Sequence, residues 1–344
     1  MQQYPMTGLL RRCRRLWCVA VVFSVSCLAT AATDGGYDSH PEALKFIDHM
    51  VRKYGFDRSY LRGLMADARR KQSILDAIAR PAEKTKTWGE YRRIFVTDQR
   101  ITQGREFMRE NAVTLARAQR DFGVPAEIIS AIIGVETRYG RHKGGYRVLD
   151  SLATLGFDYP PRSKFFSRQL EEYLLLVKEQ KFDAREVRGS YAGAMGFGQF
   201  IPSSYRHYAI DFDGDGVANI VDNPVDAIGS VANYFKAHGW EPGQPIATTA
   251  TVTDGYNPAL ANSDLKPTLT VTQLQRQGFR PDSPIDGKAL ATAMRLDGDG
   301  GDEYWIGLEN FYVITRYNHS AMYAMAVYQL SRELKAGSQS KAGQ

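Results

Sequence analysis

Beyond its first 31 residues this 344-residue chain has no cysteine, since Cys13, Cys18 and Cys27 all lie near the N-terminus. If that stretch is removed, no disulfide can form, and stability in an oxidising compartment must come from the core or from a bound metal. Charge of one sign is scarce too. Arg11, Arg12, Arg14 and Arg15 stand in the same acid-free stretch, and without these four the formal net charge of +6 becomes +2. That balance lacks the basic excess of a nucleic-acid binder. There is no long internal repeat. Hydrophobic content of 43% and charged content of 24% are those of a globular enzyme, with disorder expected only at the ends.

What the first residues do contain is the pattern of an export signal: a basic start, an apolar run over 16–28 too short for a comfortable membrane span, and the small residues Ala29, Thr30 and Ala31. Cleavage is expected before Ala32, giving an exported, periplasmic protein. The alternatives are a retained anchor and a lipoprotein attached through Cys27, which would associate the protein with the outer membrane. Ser24-Val25-Ser26 lacks the apolar residue wanted upstream of such a cysteine, and Cys13-Arg14 does not suit a twin-arginine signal.

A flexible lead-in is expected over 32–40. Helical apolar spacing over 41–121 (Ala43, Phe46, Ile47, Met50; Leu61, Leu64, Met65, Ala68) predicts a helical domain to which 145–185 contribute. Segments 122–144 and 186–240 are read as the core carrying the chemistry. Residues 241–308, with the β-branched runs IATTATVT and LTVTQL, are read as a small β-rich insertion. Helix returns over 309–335, and 336–344 form a tail. The fold class is α+β, mainly α.

The helix opened by Pro125 is apolar almost all round and is expected to end near Gly140. It carries one carboxylate late in its length, Glu136. Apolar surroundings and the negative end of the helix dipole both disfavour ionisation, which suits an acid that protonates a glycosidic oxygen. The plainer alternative is pairing with Arg138 or Arg141. A glycosidase ordinarily needs a second carboxylate, yet the glycine-rich stretch 190–202 has none. It offers Ser190, Tyr191 and Gln199, with glycines that either admit a ligand to the backbone or merely permit close packing. Tyrosines, of which there are 19, suit a sugar cleft, and equally a core.

Asp211, Asp213, Asp215, Gly216, Val217 and Asn219 match the first half of an EF-hand loop. Crowded carboxylates repel unless a cation joins them, so a structural Ca²⁺ is expected, with Asp222 or Asp226 closing the loop. The alternative is a solvated acidic turn. No ligand set suggests a catalytic metal. Asp297, Asp299, Asp302 and Glu303 lack the matching glycine and read as a turn.

These segments together resemble the lytic murein transglycosylase B family, of the lysozyme-like glycan cleavers. The resemblance is carried by IISAIIGVETRYGR, SLATLGFDYPPRSKFF, GSYAGAMGFGQFIPSSY, DFDGDGVANI, VDAIGSVANYFKAHGW and NFYVITRYNHSAMYAMAVYQL, in family order. It implies a lysozyme-like core flanked by a helical domain and a small β-rich domain, with Glu136 as catalytic acid and base. It implies a sugar groove formed by Ser190, Gln199, Tyr234, Tyr317, Asn318 and Tyr323, and less directly by Tyr91 and Arg162. It also implies a Ca²⁺ loop of Asp211, Asp213, Asp215, Val217 and Asp226, lengthened here by Asn223. The implied reaction is non-hydrolytic: cleavage between N-acetylmuramic acid and N-acetylglucosamine, with the C6 hydroxyl attacking to leave a 1,6-anhydromuramyl end. The partners expected are peptidoglycan strands and cell-wall synthesis or hydrolysis proteins, with no nucleic acid, and the chain is expected to be a monomer. A hydrolytic muramidase and a non-catalytic, Ca²⁺-dependent peptidoglycan-binding module are the rival readings.

Overall fold

The structure, a computed structural model, describes residues 36–79 and 86–339. The signal peptide expected at 1–31 with its cysteines, the start of the lead-in and the end of the tail lie outside the described residues. Local sequence sets the first helices. Pro41 and the His40 side chain, which accepts the Glu42 amide, begin α1 (Pro41–Tyr54), and Gly55 ends it at φ 67°. After α2 (Arg58–Asp67) and α3 (Gln72–Ile78), Thr87 and Glu90 form a capping box that starts α4 (Trp88–Phe95). Then come α5 (Asp98–Glu110), α6 (Ala112–Phe122) and α7 (Ala126–Thr137).

α7 is the centre of the first core. Ile128, Ile129, Ile132 and Ile133 are fully enclosed, each contributing roughly 1.5–3 kcal/mol. The helix stops at Thr137, three residues short of the expected Gly140. Arg138 and Tyr139 take left-handed φ of 52° and 60° ahead of Gly140. This reversal swings Tyr139 back between α5 and α7, where a Cβ at Gly104 or Gly134 would meet its hydroxyl at 2.2 or 2.6 Å.

The hairpin of β1 (Tyr146–Arg147) and β2 (Arg188–Gly189) brackets α8 (Val148–Asp158) and α9 (Ser163–Gln180). The glycine-rich segment, α10 (Pro202–Tyr208), the acidic loop and α11 (Pro224–Ala237) follow. The insertion holds β3 (Ala247–Val252), β4 (Leu269–Thr270), α12 (Val271–Arg276), β5 (Phe279–Pro281), β6 (Leu290–Gly298) and β7 (Gly301–Gly307), in an antiparallel sheet ordered β4-β6-β7-β3-β5. LTVTQL is therefore mostly helix. Thr270 and Gln273 form a capping box, and local capping prevails over β-branched propensity. The turn expected near Asp299 is the tip of the β6–β7 hairpin, but Asp297, Asp302 and Glu303 are paired strand residues.

The expected last helix is broken into α13 (Glu309–Thr315) and α14 (Ala321–Gln339), the latter running into the stretch read as tail. Residues 41–121 likewise divide. α1–α3 share a core with α8–α10, whereas α4–α6 pack with α7, α11, α13 and α14. The insertion has a small core of its own around Phe279 and Ile306.

Candidate active site

Glu136 lies in the last turn of α7, half-buried. Against it α14 presents Tyr323, 2% exposed, whose hydroxyl donates to Glu136 Oε1 at 2.5 Å. Burial, and next the charge of Glu136, push the Tyr323 and Tyr317 hydroxyls well above the ordinary phenol range. Tyr323 therefore keeps its proton and remains a donor. The two arginines that follow Glu136 in sequence pair with other groups: Arg138 Nε donates to Gln103 at 2.8 Å, and Arg141 lies 3.8 Å from Glu106.

The break between α13 and α14 positions the next residues. Tyr317 donates to the Gly198 carbonyl at 2.6 Å, which joins the break to the glycine-rich segment. Asn318 is half-buried beside it, its carbonyl accepting the Ser320 amide at 2.7 Å. Gln199, at φ 51°, donates its side-chain amide to the carbonyls of Lys143 at 3.1 Å and Gly196 at 2.9 Å. Ser190 Oγ accepts the amides of Ala192 and Ala194, fixing the turn that exposes Tyr191.

Tyr234 packs against Tyr317, with 4.8 Å between ring centres, and is 7% exposed. It is stacked on His238 and donates to the Arg316 carbonyl at 2.5 Å. Tyr91 is buried against Phe95 near Tyr323. Arg162 stands elsewhere, exposed on the turn between α8 and α9 with its guanidinium over Phe165 and Phe166. The structure thus brings together Glu136, Tyr323, Tyr317, Asn318 and Gln199, with Tyr234 and Tyr91 as backing. The glycines serve packing. An added Cβ would strike Leu152 at Gly193, the Ile220 carbonyl at Gly196 and the Tyr317 hydroxyl at Gly198.

Sequence reasoning passed over Thr137. Its buried hydroxyl donates to the Phe197 carbonyl at 2.8 Å and accepts the Gly140 amide at 3.0 Å, pinning the end of α7 to the glycine-rich segment. The only signal was a β-branched hydroxyl residue at a helix end.

In the acidic loop, carboxylate oxygens of Asp211, Asp213 and Asp226 lie within 4.8 Å of one another. Asp226 is fully buried and accepts the amides of Phe212 and Asn219, both at 2.7 Å. Burial pushes its carboxyl above the usual range, while amides, Gly216 first, hold Asp211 below it. A buried carboxylate facing two others calls for a cation, and three oxygen donors suit a hard one. Asp215 Oδ1 is occupied by the Val217 amide, and the Val217 carbonyl accepts the Asn219 amide. Asp222 turns outward to Lys143 at 2.8 Å, whereas Asp226 lies beside Asp211 and Asp213. Asn223 caps α11 and donates to Asp213 at 2.7 Å.

A family model described as a transglycosylase SLT domain matches residues 38–332. The chain belongs to the SLT transglycosylase family. It is 46% identical over 307 residues to the membrane-bound lytic murein transglycosylase B of Escherichia coli K12, covering 87% of this chain and 84% of that protein. The solved catenated lytic transglycosylase SltB1 of Pseudomonas aeruginosa is 54% identical, with a TM-score of 0.85 over 88% of this chain and 99% of that one. The Escherichia coli lytic transglycosylase Slt35, solved in complex with calcium, is 46% identical with a TM-score of 0.82, covering 89% and 96%. This SLT chain is accordingly an enzyme of the lytic murein transglycosylase kind, with the lysozyme-like, mainly helical α+β fold of those relatives.

Proposed function

We propose that this SLT enzyme cleaves the β-1,4 bond between N-acetylmuramic acid and N-acetylglucosamine in peptidoglycan strands, using Glu136 alone as acid and base. The observation that carries the reading is the Tyr323–Glu136 bond at the end of an apolar helix. Protonated Glu136 gives its proton to the glycosidic oxygen as the bond to the muramic C1 breaks. The substrate's N-acetyl oxygen stabilises the positive charge at C1. Glu136, now a carboxylate, takes the proton of the C6 hydroxyl as O6 bonds to C1. One proton leaves and one returns, no water is consumed, and a 1,6-anhydromuramyl end remains. An acceptor held in the same sugar gives the advantage of an intramolecular step, and Tyr323 holds the carboxylate in one orientation throughout.

Ser190, Gln199, Tyr317 and Asn318 form the groove wall that binds the strand. Tyr234 and Tyr91 support it from behind, and Arg162 meets the strand further out. Asp211, Asp213 and Asp226, joined by Asp215 and the Val217 carbonyl as the loop closes, would hold a structural Ca²⁺ that takes no part in the chemistry. The donor chemistry and the buried, raised Asp226 support that site. The protein acts as an exported, periplasmic monomer on this reading. Among the described residues no helix is long and apolar enough to cross a membrane.

Muropeptide release from purified murein tests the role of Glu136. The Glu136→Gln protein, with unchanged circular dichroism and melting temperature, is expected to release at least about 10³-fold less than wild type. Release within about tenfold of wild type would exclude Glu136 as the acid.

A further inference from the structure

The acidic loop and the proposed groove wall meet at Lys143. Lys143 Nζ donates to the Val221 carbonyl at 2.7 Å and to Asp222 at 2.8 Å, where the loop ends. The backbone carbonyl of the same lysine accepts the side-chain amide of Gln199 at 3.1 Å. Its ammonium also lies 5.1 Å from the centre of the Phe197 ring. Lys143 is well covered, with a side chain 27% exposed against 73% for Asp222, so the lysine is held by its surroundings rather than by its ion pair.

A parallel backbone path runs beside it. The Phe197 amide donates to the Ile220 carbonyl at 3.1 Å, and the Phe197 carbonyl accepts the hydroxyl of Thr137, the neighbour of Glu136. Asp226 holds the start of this stretch through the Asn219 amide. A cation that neutralises Asp226, Asp211 and Asp213 would therefore order residues 219–222. What it orders is the surface that Lys143 grips.

We propose that Lys143 is a positioning residue that ties the groove amide of Gln199 to the cation loop, so that an ordered loop tightens glycan binding. This rests on the calcium reading given above. Coupling between two sites through such a link is typically 5–150-fold. About tenfold is expected here, and it should appear in binding rather than in the chemical step, since Lys143 reaches neither Glu136 nor Tyr323 in the bonds described.

The test is hydrogen exchange on the full chain, with calcium and with chelator, for wild type, Lys143→Met and Lys143→Arg. Methionine keeps the apolar stem over Phe197 and removes the charge, and arginine keeps the charge. Calcium should slow exchange over 211–223 in all three proteins. Over 194–200 it should slow exchange about tenfold in wild type and Lys143→Arg, but only about threefold in Lys143→Met, where the Phe197–Ile220 bond still joins this segment to the loop. On glycan strands with calcium present, Lys143→Met should raise KM about threefold with kcat unchanged, and Lys143→Arg should restore it. Equal slowing at 194–200 in Lys143→Met, or an unaltered KM, overturns the proposal. If calcium leaves 211–223 unchanged in wild type, the calcium reading fails and the relay falls with it. Loss of muropeptide release in Glu136→Gln is independent of both outcomes. Should Lys143→Met not fold, Asp222→Asn removes only the exposed anion and is expected to lose part of the same slowing, with full retention counting against the relay.

Discussion

At the scale of the residue, Glu136 is readable in the sequence because it is the one charge late in an apolar helix, and the structure adds what holds it. Tyr323→Phe removes a donor to a carboxylate and nothing else from the cleft. Hydrogen bonds to charged groups are worth about 1.5–3 kcal/mol, so kcat should fall by about tenfold to a hundredfold, with circular dichroism unchanged and the melting temperature lowered by a few degrees. Steady-state rates on murein glycan check this, and an unchanged kcat would remove Tyr323 from the mechanism. Family resemblance singled out Tyr234, Tyr317, Tyr323 and Tyr91 among 19 tyrosines, but the contacts of Tyr323 and Tyr317 come only from the tertiary fold. One bonds Glu136 and the other bonds Gly198 across the interruption of the last helix. Thr137 was invisible because its partner, the Phe197 carbonyl, is 60 residues away.

At the scale of the element, the helices with clear caps and apolar stripes follow from sequence, and the departures have local causes. LTVTQL looks like strand by composition and becomes helix through the Thr270–Gln273 box. The break at 316–320 has no proline or glycine to announce it. Ser320, whose hydroxyl accepts the Tyr323 amide, starts the new helix. α11 ends on His238, whose ring stacks on Tyr234 at 4.0 Å and bonds the Tyr234 carbonyl at 2.7 Å.

Burial holds the His238 imidazole below its ordinary 6.5. The unfolded chain then takes up a proton that the folded chain resists. Stability is fully present above the ordinary value, is lost as pH falls through it, and levels off once pH is below the folded value. The melting temperature should therefore fall as pH drops through about 6.5, and His238→Gln should flatten part of that drop. Identical slopes for the two proteins would show that this ring does not couple to folding.

At the scale of the whole molecule, the absence of cysteine after residue 27 finds its counterpart in two helical cores and an acidic loop stitched between them. The half EF-hand pattern was legible. Which of Asp222 and Asp226 stands with Asp211 and Asp213 was not, because it depends on the Phe212 and Asn219 amides drawing Asp226 under the loop while Asp222 faces Lys143. Calcium at about 100 times its Kd should stabilise the fold by about 2.7 kcal/mol, raising the melting temperature by several degrees. Chelator should reverse this, and Asp226→Asn should lose most of the rise. A melting temperature indifferent to calcium would contradict a metal in the loop.

In the proposed reaction the acceptor is the substrate's own C6 hydroxyl and not water. Digestion of murein in water labelled with heavy oxygen, followed by mass analysis of the new chain ends, tests it most directly. Ends lighter by one water and carrying no label are expected. Reducing muramic ends bearing the label would contradict the proposed reaction and would require a second carboxylate to activate that water.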